Sequence, residues 1–296
     1  MIERLRGAPE KLNGWLALAV WVVQPFTLGP LLGDALGPTR DLFRTVCSTS
    51  LWVGWLAVLV ALALPRPPTL TLTRLGATAT VPIAAWAATA AADTALTVVG
   101  LSSAIAAAVT VLAPTFADRF IDGASYGDER RFALRPPGPV VVGLLVPTWA
   151  VALAGASAGP LLLADEQWEL GGLLTALGWP LAAVAIRALH QLANRFVVFV
   201  PNGLVVHDLT VMREPVLFAA REITGLAPAL ADTAADDMTS AALGLALELK
   251  LAAPATLPMV AGRTTTEERA VRALLIAPSR PAAVMSLAQT RGFRIV

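Results

Sequence analysis

Charged residues are scarce in this 296-residue chain. Asp, Glu, Lys and Arg together make up 15%, against roughly 25% in soluble globular proteins. Cysteine occurs once, at Cys47, which excludes an intrachain disulfide, a CxxC redox pair and a cysteine-based zinc cluster. Cys47 reads as a small apolar residue at the start of a membrane span. Histidine occurs twice, at His190 and His207, too isolated to suggest a shared metal site. No GxxxxGK, HExxH or GxSxG is present, so the local signatures of P-loop nucleotide hydrolysis, zinc proteolysis and the serine elbow are missing. No cofactor is implied. A net charge of +1 gives no case for a nucleic-acid partner. Tryptophan is absent after Trp179.

The missing charges are not spread evenly. Six stretches, 12–33, 45–65, 75–92, 94–117, 136–164 and 170–186, contain no Asp, Glu, Lys or Arg. Each is close to the roughly 17–25 residues that a helix needs to cross a bilayer core. A soluble helix would carry a charged face, and these carry none. The fold class expected is therefore an integral membrane α-helical bundle of about six transmembrane helices, near 13–33, 45–64, 76–92, 97–117, 139–163 and 170–189, followed by a small β-rich domain. The basic N-terminus before an apolar run could suggest a signal peptide. The run continues to Leu32 with no short core and cleavage site, so it reads as the first span. A mean hydropathy of +0.68 agrees. The eight Trp lie in the membrane part, where indole suits the bilayer interface.

Orientation follows from basic residues in short loops. With a cytoplasmic N-terminus, the inner segments hold Arg4, Arg6, Lys11, Arg66, Arg74, Arg119, Arg130, Arg131, Arg135, Arg187 and Arg195; the outer ones hold only Arg40 and Arg44. Acids collect outside instead, at Asp34, Asp41, Asp93, Asp165, Glu166 and Glu169. Both termini are expected in the cytoplasm of a bacterium. The Ala, Val, Leu and Arg bias suggests an actinobacterium, and the plasma membrane is the expected site. Between Leu75 and Ala117 the only charge is Asp93. A tight hairpin with Asp93 at its outer turn keeps the charge pattern, and a re-entrant segment is the alternative. Small residues at four-residue spacing (Ala84, Ala88 and Ala92; Ala104 and Ala108; Gly155 and Gly159) would let backbones approach closely.

After the sixth span the pattern turns from helical to alternating, and a domain boundary is expected at 193–194. Phe196–Val200 and Leu204–His207 flank the turn signal Pro201-Asn202-Gly203. Further strands are expected near 215–218, 222–226, 243–251 and 271–277. Glu248 and Lys250 alternate with leucines, which predicts one wet face. Pro281 and Gly292 bracket a final helix, with Ala283, Met285 and Leu287 available to a core. Residues 228–240, rich in Ala, Asp and Thr, are expected to be the first protease site.

On these residues (Asn202-Gly203-Leu204-Val205-Val206, then Arg221-Glu222-Ile223-Thr224-Gly225-Leu226, then the Pro281–Gly292 helix) the C-terminal third resembles the bacterial pleckstrin-homology-like (PH-like) domains found beside membrane spans. The resemblance covers roughly 195–292. It implies several short antiparallel strands closed by one helix, acting as a cytosolic membrane-side adaptor. No basic cluster sits in a strand-connecting loop, so head-group binding is not carried over.

Three readings of function follow. The first is a non-enzymatic scaffold or accessory subunit of a cell-envelope complex, with a protein partner in the membrane or cytosol. The second is a transporter or lipid-handling protein; an ionisable residue within a membrane, here Asp93, is its handle. The third is an enzyme on a lipid-linked pyrophosphate. Asp118 and Asp122 share a helical face and could hold Mg²⁺. Arg119, Arg130 and Arg131 in the same loop would meet anionic lipid or a partner.

Overall fold

The computed structural model describes residues 8–262 and 265–296; Arg4 and Arg6 lie outside them. The first apolar run is not one helix over 13–33. It forms α1 (Ala8–Val22), α2 (Gln24–Thr27) and α3 (Gly29–Leu36). Proline is the cause. Pro25 has no N–H to give the Trp21 carbonyl one turn back. That carbonyl instead accepts the Trp55 indole N–H at 3.0 Å, while the Trp21 indole N–H bonds the Trp55 carbonyl at 2.9 Å. Pro30 sits in the opening turn of α3, where a missing N–H costs nothing.

The next helices are α4 (Asp41–Ala63), α5 (Pro67–Ala90), α6 (Thr94–Leu112) and α7 (Pro114–Asp122). The run expected to span 97–117 therefore ends at Leu112, because Pro114 starts a new helix. α5 and α6 form a hairpin. Asp93 is exposed at its turn, where it caps α6 by accepting the N–H groups of Ala95 and Leu96 at 2.7 and 3.3 Å. Ala84, Ala87, Ala104 and Ala107 are buried between the helices, as small-residue packing requires. A π turn at Val140–Leu144 leads into α8 (Leu145–Ala164), which is followed by α9 (Trp168–Ala193). These two approach at Gly155 and Gly178; a Cβ on Gly155 would lie 2.7 Å from the Gly178 carbonyl oxygen.

By length and hydropathy, four helices among the described residues can cross a membrane: α4, α6, the Val140–Ala164 helix and α9. Of the six stretches expected, the first is broken, and α5 opens at Pro67, well before residue 76, with the polar turns PPTLTLTR.

The chain divides into two compact units. The first takes residues up to Phe120 and then Val146–His190; the second takes Ile121–Leu145 and Gln191–Val296. The β-rich part drawn at 194–296 thus also takes in a segment from the middle of the chain. That segment carries β1 (Arg130–Ala133), which pairs antiparallel with β2 (Phe196–Val200); β3 (Gly203–His207) and β4 (Val216–Ala219) complete a meander. In the second sheet, β5 (Ile223–Pro228), β7 (Leu247–Val260) and β8 (Thr266–Ile276) are antiparallel, and the two-residue β6 (Asp236–Asp237) lies parallel to β8. β7 runs well past 251 despite Pro254 and Pro258. Beyond its bulge at Lys250/Ala255 it no longer pairs with β5, and such an edge tolerates proline. Helix α10 (Pro281–Thr290) ends before Gly292, whose φ is +80°. Val284 and Ala288 are its fully buried residues, while Ala283, Met285 and Leu287 are half-buried against the core. Phe199, Leu204, Phe218, Leu226, Leu249 and Leu274 join them in one core.

Two charges departed from expectation. Glu248 is buried, not on a wet face, because the preceding loop folds over it and Thr233 donates its hydroxyl at 2.9 Å. The other is Arg195. It and Asp208 are each 2% exposed and form a two-pronged pair at 2.8 and 2.6 Å. Arg195 also donates to the Arg135 carbonyl at 2.7 Å, and its own carbonyl accepts the Leu134 N–H at 2.9 Å. One side chain therefore joins the end of β1, the start of β2 and the end of β3. Replacing Arg195 by Met leaves Asp208 buried and unpaired, at a cost of about 3–5 kcal/mol. The expected result is a large fall in the unfolding midpoint of the β-rich unit, with much of it recovered in R195M/D208L.

Candidate functional site in the helical unit

Five of the six residues singled out from the sequence cluster near the end of α7 and in β1, yet they do not form one site. Asp118 is 2% exposed and belongs to the helical unit, whereas Asp122 belongs to the β-rich unit. Asp118 acts electrostatically on Arg74 of α5, whose Nε donates to the Val111 carbonyl at 3.3 Å. Around them, Asn13 donates to the Thr115 hydroxyl at 3.0 Å and to the Thr110 carbonyl at 3.4 Å. The Arg119 guanidinium lies against the backbone of Gly14, where a Cβ would overlap it. Its Nη1 is buried without a hydrogen-bond partner among the described residues. On the neighbouring face of α5, Thr71 meets His190 Nδ1 at 3.1 Å.

Asp122 is engaged elsewhere. It pairs with Arg130 and accepts the Ser125 hydroxyl and the Arg131 backbone N–H, each at 2.9 Å. Arg131 pairs with Glu129 at 3.0 Å and lies 5.5 Å over the Phe196 ring, a cation–π contact. The contacts of Asp122, Ser125 and Glu129 brace the 122–131 segment internally, and Arg131 reaches β2 through Phe196. Among the described residues, no three His, Cys, Asp or Glu side chains are placed to hold a metal ion. His207 stacks on Phe196 at 4.4 Å and meets the Asn194 carbonyl at 3.1 Å.

The break at α2 forms a second feature. Gln24 is 4% exposed; it donates to the Ser103 carbonyl at 3.0 Å and accepts the Ser103 hydroxyl at 3.1 Å, and Thr27 donates to Ser103 Oγ at 2.8 Å. Beside this triad lies an open cleft of about 480 Å³ between α3, α4 and α5. Trp21 and Trp55 form its floor, and Arg44 and Ser48 line its other end. Sequence reading passed over Gln24 and Asn13, although polar residues in an otherwise apolar run were the available signal. Arg74 was read only as a topology determinant.

At the end of β6, Asp237 accepts the Thr239 N–H and hydroxyl at 2.7 and 2.6 Å and the Ala241 N–H at 3.2 Å. This holds Ser240 and Ala241 at φ of 54° and 55°. Partial burial by itself would raise the Asp237 pKa, but these hydrogen bonds outweigh it and hold the carboxyl below its usual value.

The family, curated-protein and solved-structure comparisons all returned nothing: no family model, no curated protein and no solved structure matches this chain.

Two outcomes are expected. Asp118→Asn removes the buried carboxylate whose charge acts on half-buried Arg74. It should lower the unfolding midpoint in detergent, and R74M/D118L should restore most of it. A carboxylate whose folded pKa is depressed stabilises above its unfolded value, about 3.9. That contribution is lost as pH falls through the lower folded pKa. Pepsin cutting at 228–240 should therefore set in only below about pH 4, and Asp237→Ala should be cut faster than the native chain at every pH where the carboxylate is ionised.

Proposed function

We propose that this is a non-enzymatic, multi-pass protein of the bacterial plasma membrane, a scaffold or accessory subunit whose β-rich unit serves as a cytosolic PH-like adaptor. The observation that carries the reading is the origin of β1. The β-rich unit draws its first strand from the segment between α7 and α8, so the chain passes between the two units three times. A unit threaded in this way is suited to hold a partner at a fixed place rather than on a free tether. A four-stranded meander, a second, mostly antiparallel sheet and a closing C-terminal helix support the PH-like layout. The charged residues near β1 also support a non-catalytic reading, since each is spent on intramolecular partners.

Six crossings remain our reading of the helical unit. Besides the four apolar helices, α5 has 24 residues, about 36 Å of helix, and α1 to α3 together form a broken crossing. Arg66, Arg74 and Arg119 on one side, and Asp34, Asp93, Asp165 and Glu169 on the other, support cytoplasmic termini. The cleft beside Gln24 favours a second reading, lipid handling, because broken membrane helices commonly frame binding sites.

Two measurements test the main reading. In a Cys47→Ala background, Asp93→Cys should react with an impermeant thiol reagent from outside intact cells, and Asp232→Cys should react only after lysis; the reverse pattern overturns the orientation. Native mass spectrometry of protein taken from its own membrane in mild detergent should show a protein partner in fixed stoichiometry. A chain that emerges alone overturns the scaffold role.

A further inference from the structure

The cleft beside α2 has walls of unusual make-up. Gly33 of α3 and Gly54 of α4 both line it, and a Cβ on either would meet nothing within 4 Å. Bare backbone keeps the space open. Along α4, Arg44, Ser48, Leu51 and Trp55 fall at spacings of four, three and four, so they share one face. From Arg44 to Trp55 that face is about 16 Å long. One leaflet of the hydrocarbon core is half of roughly 30 Å, so the cleft is as deep as one leaflet.

Its deep polar groups are already satisfied. Gln24 bonds Ser103, the Trp21 and Trp55 indoles bond each other's carbonyls, and Thr80 donates to the Ala77 carbonyl at 2.6 Å. Around them the lining is mostly apolar, and such a chamber does not retain ordered water. The polar end differs. Arg44 is half-exposed, donates to the Gly37 carbonyl at 3.0 Å and pairs with Asp41, whose carboxylate is almost fully exposed. A guanidinium held by so exposed a carboxylate in water gains little from the pair. A phosphate offers it two-pronged, charge-assisted hydrogen bonds.

We infer that the cleft binds one glycerophospholipid, with an acyl chain lying along Gly33 and Gly54 down to Trp21 and Trp55 and its phosphate on Arg44 in competition with Asp41. The cleft is then a fixed lipid site, distinct from the exchanging lipid around the bundle. This goes beyond the scaffold role and stands or falls separately from it.

The test is titration of the delipidated full-length protein in detergent, followed by native mass spectrometry. The probes are phosphatidylglycerol and diacylglycerol of the same chains. One phosphatidylglycerol should bind saturably, at least tenfold tighter than diacylglycerol. Arg44→Gln should abolish that preference, and Asp41→Asn should increase it. Gly33→Leu should abolish binding of both lipids while leaving the unfolding midpoint unchanged or higher, since Leu is the better helix former and its side chain enters open space. Gly54→Leu fills the same cleft from the other wall and serves if Gly33→Leu does not fold. The inference is overturned if the native chain shows only unsaturating lipid adducts, if a folded cleft-filling variant binds as the native chain does, or if Arg44→Gln keeps the tenfold preference.

Discussion

A carbonyl left without a donor in hydrocarbon costs several kcal/mol, and Pro25 creates one at Trp21. The reciprocal Trp21–Trp55 hydrogen bonds are what permit the break in the first apolar run. The rest of the helical unit arranges itself around that break. α2 places Gln24 against Ser103, α3 resumes at Gly29 with Pro30 in its first turn, and the cleft opens beside the break. A single pair of indoles thus links a backbone defect to a binding-sized space.

Buried charge is the second constraint. In the β-rich unit Arg195 sits where water cannot solvate it and Asp208 pairs with it; in the helical unit the buried carboxylate of Asp118 acts on half-buried Arg74. Such pairs add little net stability over apolar residues of the same shape, but they penalise any arrangement that separates them. At Arg195 the gain is in specificity. The side chain and its carbonyl together fix residues 134 and 135, so a strand arriving from mid-chain pairs with β2 in one register. Gly14 illustrates the same economy of space on the helical side, where only a residue without a Cβ leaves room for the Arg119 guanidinium.

Much was legible in the sequence because it depends on local periodicity. Uncharged runs located four of the apolar helices, Asp93 marked the turn between α5 and α6, and the Pro201-Asn202-Gly203 signal marked the β2–β3 hairpin. Pro281 and Gly292 bounded α10. The candidate site was less legible. Asp118 and Asp122 do share a helical spacing, but spacing says nothing of which unit each side chain joins. Arg130 and Arg131 read as a loop patch because a four-residue strand whose partner lies more than sixty residues away has no local signature.

By itself the sequence determined where four membrane-length apolar helices lie, that a β-rich segment follows, and that no common catalytic or metal motif is present. Those properties follow from residue type and near-neighbour order, since hydrophobic burial and missing proline donors act on a few turns at a time. Only the tertiary structure decided that β1 belongs to the C-terminal sheet, that Glu248 is covered, that Asp118 is buried, and that the proline break frames a cleft. Each of these rests on groups far apart in the chain, whose cost when unpaired is set by burial, and burial is a property of the folded whole.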